Sequence, residues 1–257
     1  MKSLYLQYAA FSDQGVVRRN NQDNLYCGHD LFLAENNTGT GKIWEGDLPP
    51  DREAVFCVFD GMGGEKGGET AAYIAARKMN DMAALRSAGD QTAPDTEESF
   101  LEKYCLSSND EIDRVRRQKK YRAMGTTAAM LLVNDKNMVV CNVGDSRIYC
   151  YSEGKLSLLS VDHTMPSHLF RNAPLTQYLG VPEEEMQIEP FIRKCEYRPG
   201  DQFLLCTDGA WRGEFEEVVS NLLASEESGE KKMKKLRSWI EENDGTDNAT
   251  AVWIRLP

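Results

Sequence analysis

Apolar residues fall along this chain in short runs with two different periods. Residues 54–59 (AVFCVF) form a continuous apolar run, as in a buried strand, and the run stops at Asp60-Gly61-Met62-Gly63-Gly64. Residues 3–11 alternate as a strand does and lead into a turn at Ser12-Asp13-Gln14-Gly15. Residues 126–133 and 138–143 flank Asn134-Asp135-Lys136-Asn137, and residues 147–151 and 155–160 flank Ser152-Glu153-Gly154, so two hairpins are predicted. Residues 202–206 and 250–256 add two more strands, while residues 34–52, rich in Gly, Asn and Pro, read as a loop.

The period lengthens elsewhere. Over residues 68–85, Ala71, Ala72, Ile74, Ala75 and Met79 form one apolar stripe, and over 98–117 Phe100, Leu101, Tyr104, Cys105, Ile112 and Val115 form another. Residues 214–224 and 230–242 read as helices, with Met233, Leu236 and Ile240 on one face packing into a core. Strands in hairpins together with helices in pairs predict a layered α+β sandwich of antiparallel sheets. No internal repeat interrupts this plan, and 257 residues at 41% hydrophobic content suit one domain spanning 1–257.

Charge narrows the partners. Lys and Arg number 30 against 41 Asp and Glu, a formal net charge of −11, which argues against nucleic acid or an anionic membrane as the main partner. No apolar run reaches the length of a membrane-crossing helix, and the first residues lack the apolar centre of a signal peptide. The seven Cys are odd in number and contain no C-x-x-C pair; Cys57, Cys141 and Cys206 sit in apolar runs as reduced core thiols do. A cytoplasmic location is therefore expected.

Four strand-like runs carry an acid at one end. Phe59 leads into Asp60-Gly61, Val143 into Gly144-Asp145-Ser146-Arg147, and Cys206-Thr207 into Asp208-Gly209; Asp247-Asn248 open the last strand. Singly, each reads as a turn residue. Together they read differently, because neighbouring strands bring their ends to one edge. Carboxylates gathered there raise one another's pKa unless cations neutralise them. An all-oxygen set suits Mg²⁺ or Mn²⁺, and the lack of His or Cys argues against zinc. Two such ions, about 4 Å apart, would lower the pKa of a shared water and aim it at phosphorus. Arg18, in Val17-Arg18-Arg19-Asn20-Asn21-Gln22-Asp23, is a candidate to grip the phosphate, or a surface cation before a turn.

In order along the chain stand SDQGVVRRNNQDN (12–24), VFDGMGGEKGGETAA (58–72), MGTTAAMLLV (124–133), CNVGDSRIY (141–149), VDHT (161–164), LTQYLG (175–180), PGDQFLLCTDGAW (199–211) and DNATAVWI (247–254). This series resembles the PP2C (PPM) family of metal-dependent protein phosphatases, bacterial type. The resemblance implies a four-layer α-β-β-α sandwich of two antiparallel sheets flanked by helix pairs. It implies hydrolysis of phosphoserine and phosphothreonine by a metal-bridging water, without a phosphoenzyme. Carried onto this chain, Asp60 bridges two core Mn²⁺ or Mg²⁺ ions. The Gly61 carbonyl, Asp208 and Asp247 complete the inner shell, and Asp23 acts through water. Asp145, with Asp208, holds a more weakly bound third ion. Arg18 binds the substrate phosphate. Thr126, Thr127, Ser146 and Arg147 shape the strands behind the site. Phosphorylated proteins are the implied substrates, a Ser/Thr kinase and its targets the implied partners, and a monomer the expected state.

Three departures bear on specificity and metal affinity. Gln22 stands where the family pattern Asn-Glu-Asp has a carboxylate. Met62 stands where eukaryotic members have a His proposed as general acid; bacterial-type members share the Met. Residues 164–174 (TMPSHLFRNAP) are a shortened version of the flap that bacterial-type members carry beside the site. His163 is expected to close a strand rather than to catalyse, His168 likewise lies outside the chemistry, and His29 is read as a surface residue. A pseudophosphatase, a binding module on the same scaffold, is the alternative. The intact set Asp60, Asp208 and Asp247 speaks against it, and the acidic balance speaks against a metal nuclease.

Overall fold

The computed structural model of the protein describes residues 5–28, 30–35, 37, 41–49, 52–89, 96–166 and 173–257, and of residues 64–66 the backbone. His29 and His168 lie outside the described residues. The first half contains β1 (Leu6–Asp13), β2 (Asn24–Gly28), β3 (Leu31–Phe32), β4 (Trp44–Leu48), β5 (Ala54–Phe59), β6 (Gly61–Met62), α1 (Gly64–Ser87) and α2 (Glu97–Lys119). The second half contains β7 (Gly125–Thr126), β8 (Ala128–Val133), β9 (Met138–Val143), β10 (Arg147–Ser152), β11 (Lys155–Leu158), β12 (Phe191–Cys195), β13 (Gln202–Cys206), α3 (Phe215–Ala224), α4 (Gly229–Asn243) and β14 (Ala249–Arg255).

Two six-stranded antiparallel sheets result, one in the order β11-β10-β13-β14-β1-β4 and the other β12-β9-β8-β5-β2-β3, with β6 and β7 as a small separate ladder. The continuous apolar runs have a simple cause: their strands are buried on both faces. Along β5, Val55, Cys57 and Phe59 face α1 and α2, while Ala54, Phe56 and Val58 face the opposite sheet. Along β14, Ala251 and Trp253 face α3 and α4, while Val252 and Ile254 face the space between the sheets. Three apolar layers thus separate four structural layers, in the order helices, sheet, sheet, helices. Truncating Phe56, wholly buried between the sheets, would cost about 3–5 kcal/mol.

The α2 cap is legible: Thr96 Oγ1 accepts from Ser99 N at 3.1 Å, Glu97 and Glu98 open the first turn, and Arg116, Arg117 and Lys119 close the last. The helix α1 runs from Gly64 to Ser87, past the predicted 68–85 at both ends.

Two expectations need correction. Residues 34–52 are not all loop, because β4 lies within them and pairs with β1 from Leu6↔Leu48 to Ala10↔Trp44. The glycine that made this stretch look like a loop is a packing requirement: a Cβ on Gly46 would lie 2.7 Å from the Tyr8 ring. The turn after β1 also begins later than Ser12. Ser12 is buried in the strand, accepting from Thr250 Oγ1 at 2.8 Å, and the turn starts where Asp13 Oδ1 accepts from Gly15 N at 2.9 Å.

Among the described residues no helix is long and apolar enough to cross a membrane. All seven cysteines are unpaired, and Cys27, Cys57, Cys105, Cys141 and Cys206 are buried.

Candidate metal centre

The ends of β5, β9, β13 and β14 and the turn after β1 open onto one cleft of about 600 Å³, whose lining includes Arg18, Gln22, Asp60, Gly61, Met62, Asp145, Asp208 and Asp247. The register explains the meeting. Arg147 pairs with Cys206 and Cys206 with Ala251 in one sheet; Asn24 pairs with Phe59 in the other. Residues just beyond these pairs therefore emerge at a common edge. Asp23 is the exception among the acids singled out from the sequence. It is 2% exposed and lies behind the cleft lining, where its Oδ2 accepts from Thr207 Oγ1 at 2.8 Å.

Backbone anchoring fixes each acid. The Asp60 carbonyl accepts from Thr127 N and Thr126 Oγ1, both at 2.9 Å, and Asp60 N donates to Thr127 Oγ1 at 3.1 Å. Thr127 Oγ1 lies 2.7 Å from Ser146 Oγ, which ties the Asp60 turn to the Asp145 turn. His163 Nδ1 accepts from Gly144 N at 3.2 Å, and burial holds its pKa below the usual value, so it clamps that turn as a neutral ring. The Arg147 guanidinium grips Asp162 with contacts of 2.8–3.2 Å and stacks 3.5 Å over the Trp211 ring. That stack steadies the loop following Asp208. The glycines beside Asp60 and Asp208 are required by close approach: a Cβ on Gly61 would lie 2.2 Å from Gly68 O, and one on Gly209 2.0 Å from Asn248 O.

The electrostatics are those of crowded acids. Burial pushes Asp60 well above the ordinary carboxylate range, and the charges of Asp208 and Asp23 push further. Asp60 and Asp208 lie within hydrogen-bonding reach of one another. Burial raises Asp208 as well. Asp23 is pushed up to about 8, first by burial and then by Asp208 and Asp247, against the hydrogen bonds of Thr250 and Thr207. Asp145 is pushed up to about 7 by burial, Asp208 and Asp162.

The donor set fits hard divalent cations: carboxylate and carbonyl oxygens gathered in a half-buried cleft, with acids whose negative charge the surroundings leave uncompensated. Among the described residues, however, no three acidic, His or Cys side chains converge on a single point as a ready-made cage. Asp247 shows why. Its Oδ2 accepts from Arg18 Nη2 at 2.6 Å, so a guanidinium already claims the carboxylate facing the cleft mouth.

Two contributors escaped the sequence reading. Asn248 is a hub: its Oδ1 accepts from Gln22 N at 2.8 Å, and its Nδ2 donates to Gln14 O at 2.8 Å and Asn20 O at 2.9 Å. It thereby fixes the arginine-bearing turn against the end of β14. Arg212 reaches back along its own loop to within 3.8 Å of Asp208 and 4.0 Å of Asp247. The run DNAT carries no local mark of the Asn248 role, since its partners Gln14, Asn20 and Gln22 lie at the other end of the chain; the i, i+4 spacing of Asp208 and Arg212 in DGAWR was the one signal available for Arg212, while Asp244 and Asp247 come to it only through folding. The segment read as a shortened flap leaves and rejoins the body through Thr164↔Leu175 and a hydrogen bond from Met165 N to Pro174 O at 2.9 Å; its residues 167–172 lie outside the described residues.

The sequence profile of the Protein phosphatase 2C family matches residues 49–251. The chain is 26% identical over 261 residues to the serine/threonine protein phosphatase PstP of Mycobacterium tuberculosis, covering 97% of this chain but only 45% of that protein. It is 26% identical to the serine/threonine phosphatase stp of Listeria innocua, covering 95% of this chain and 93% of the relative. The crystal structure of the M. tuberculosis phosphatase superposes with a TM-score of 0.76 at 25% identity, over 98% of this chain and 99% of that one. The PstP catalytic domain in complex with two manganese ions does so with a TM-score of 0.76 at 25% identity, over 99% and 100%.

Proposed function

This chain belongs to the protein phosphatase 2C family, and we propose that it hydrolyses phosphoserine and phosphothreonine on proteins at a binuclear Mn²⁺ or Mg²⁺ centre. The observation that carries this reading is the meeting of Asp60, Gly61, Asp145, Asp208 and Asp247, from the ends of strands in both sheets, at one cleft that Arg18 borders. The likeness to a manganese-bound catalytic domain supports it.

Asp60, the Gly61 carbonyl, Asp208 and Asp247 would hold the two core ions, with Asp23 acting through water and Asp145, beside Asp208, serving a weaker third. Bound there, the ions would supply Lewis acidity, activating the attacking water and neutralising phosphate charge. The protein's own groups do the rest. The planar fork of Arg18 suits two phosphate oxygens at once, and its contact with Asp247 aims it across the cleft mouth. Thr126, Thr127 and Ser146 keep Asp60 and Asp145 at fixed separation, which is positioning rather than chemistry. Met62 lines the cleft and carries no transferable proton, so another group protonates the leaving alkoxide. Phosphorylated proteins, among them targets of a Ser/Thr kinase, are the substrates of this reading, with the chain acting as a monomer in a reducing, cytoplasmic setting.

The test is phosphate release from phosphothreonine peptides by the purified chain. Release that needs Mn²⁺ or Mg²⁺ and stops with chelator is expected. No release from any phosphoester, at any concentration of either ion, would contradict the proposal.

A further inference from the structure

Arg212 sits on the loop that carries Asp208, about half exposed, with three carboxylates around it. Nη2 lies 3.8 Å from Asp208 Oδ2 and 4.0 Å from Asp247 Oδ2, and Nη1 lies 3.5 Å from Asp244 Oδ2. These separations differ in kind from those of the structural arginines. Arg147 meets Asp162 at 2.8 Å, Arg237 meets Asp13 at 2.8 Å, and Arg86 meets Glu53 through two nitrogens. Those guanidiniums are locked by short, directed hydrogen bonds. Arg212 is held to Asp208 and Asp247 by charge at a distance, so moving it sacrifices little hydrogen bonding.

Its surroundings also give it somewhere to go. Two cavities have Arg212 in their lining, one of about 310 Å³ that includes Glu214, Trp239 and Asp244 and one of about 430 Å³ that includes Trp211, Glu214 and Glu217. Both offer acidic side chains, so the guanidinium keeps a counter-charge when it swings off Asp208 and Asp247.

We propose that Arg212 is a resident counter-cation that competes with divalent metal for Asp208 and Asp247 and so sets the metal concentration at which the site fills. The proposal rests on the reading of Asp208 and Asp247 as metal ligands. A cation approaching those carboxylates meets a positive charge already shared between them, and must displace it or bind beside it. Either way affinity is lowered. Because the guanidinium is half exposed, solvent screens it, and the effect is a few-fold rather than many orders of magnitude. Arg212 is thus a positioning residue for metal uptake, touching neither phosphate nor the reacting atoms. Physiologically it would keep the enzyme responsive to changing Mn²⁺ instead of permanently saturated.

Calorimetric titration of Mn²⁺ into chelator-treated full chain tests this without any turnover. At low ionic strength Arg212→Gln is expected to bind Mn²⁺ about 3- to 10-fold more tightly than wild type. Arg212→Lys, which keeps the charge, is expected within about 2-fold of wild type, and the advantage of Arg212→Gln is expected to shrink toward nothing near about 1 M salt. Circular dichroism melting of both variants checks that the loop change leaves the fold intact. Equal or weaker Mn²⁺ binding by folded Arg212→Gln at low salt overturns the proposal while leaving the metal site standing. Absence of Mn²⁺ uptake by wild type itself overturns both.

Discussion

The floor and the rim of the cleft solve the same electrostatic problem in opposite ways. At the floor, Asp60 and Asp208 face one another with Asp23 buried behind, and burial raises all three pKa values. At the rim, Asp247 has Arg18 at 2.6 Å and Arg212 at 4.0 Å. The floor acids have no guanidinium in direct hydrogen-bonding contact, Arg212 standing 3.8 Å from Asp208, and are left short of positive charge. The rim acid comes with cations built in. A site made only of floor would be too repulsive to keep its acids ionised, and one made only of rim would have no need of metal. On the proposed reading, the two together would give a centre that attracts divalent ions and still presents a guanidinium to an incoming phosphate.

The largest expected effect breaks the floor. Asp60→Asn or Asp208→Asn should lower kcat/KM for a phosphothreonine peptide by about 1000-fold or more, roughly 4 kcal/mol of transition-state stabilisation. Because each substitution relieves repulsion between facing acids, the melting temperature in chelator should not fall. Wild-type turnover in either variant would show that the floor is not the reaction centre. Breaking the rim should do less. Arg18→Ala removes charged hydrogen bonds to phosphate, so KM should rise about 10- to 100-fold with a smaller change in kcat. A change confined to kcat would place Arg18 away from the ground-state phosphate.

A pH series probes the buried acids through stability. In chelator, Asp23 and Asp145 keep protons in the folded chain up to about 8 and about 7, whereas unfolded aspartate releases them near about 4. Their folded pKa values are raised, so the stability they contribute is full below about pH 4 and is lost as pH rises through about 7 and 8. The melting temperature of chelated protein should therefore decline between about pH 5 and pH 8. Mn²⁺ should restore more at pH 8 than at pH 6, because it replaces those protons. A chelated protein whose stability rises across that window would contradict the buried-floor account. The smallest effect belongs to Asp145→Asn, which should alter the activity seen at high metal concentration by less than about 10-fold and leave tight binding unchanged. Identical metal titration curves would remove Asp145 from the site.

Much of this was legible in the sequence because the same feature that makes the site also makes the strands. The run AVFCVF and the run QFLLC are buried on both faces, so each is continuous, ends abruptly, and leaves its aspartate at the edge; their bounds match β5 and β13. β4 was hidden because its Gly46 and Asp47 have loop composition, and only the neighbour Tyr8 explains the glycine. β12 was missed because it is a half-exposed edge strand with Arg193 and Lys194 in its middle. Within the site, Asp60, Asp145, Asp208 and Asp247 are strand-end residues and could be picked out. Asp23 emerged through its motif, and nothing in that motif foretold that it would lie behind the cleft rather than in its lining. Asn248 acts on partners that folding alone brings near, so no local pattern marks it; Arg212 stands four residues after Asp208, and only its approach to Asp244 and Asp247 depends on the fold.

The central claim is that strand-end carboxylates from both sheets form one divalent-metal centre. Its most direct test is a count of Mn²⁺ bound per chain, by electron paramagnetic resonance of free ion during titration of chelator-treated protein. The account predicts saturable uptake of about two ions per wild-type chain, reduced in Asp60→Asn. No saturable uptake, or uptake by Asp60→Asn indistinguishable from wild type, would contradict it.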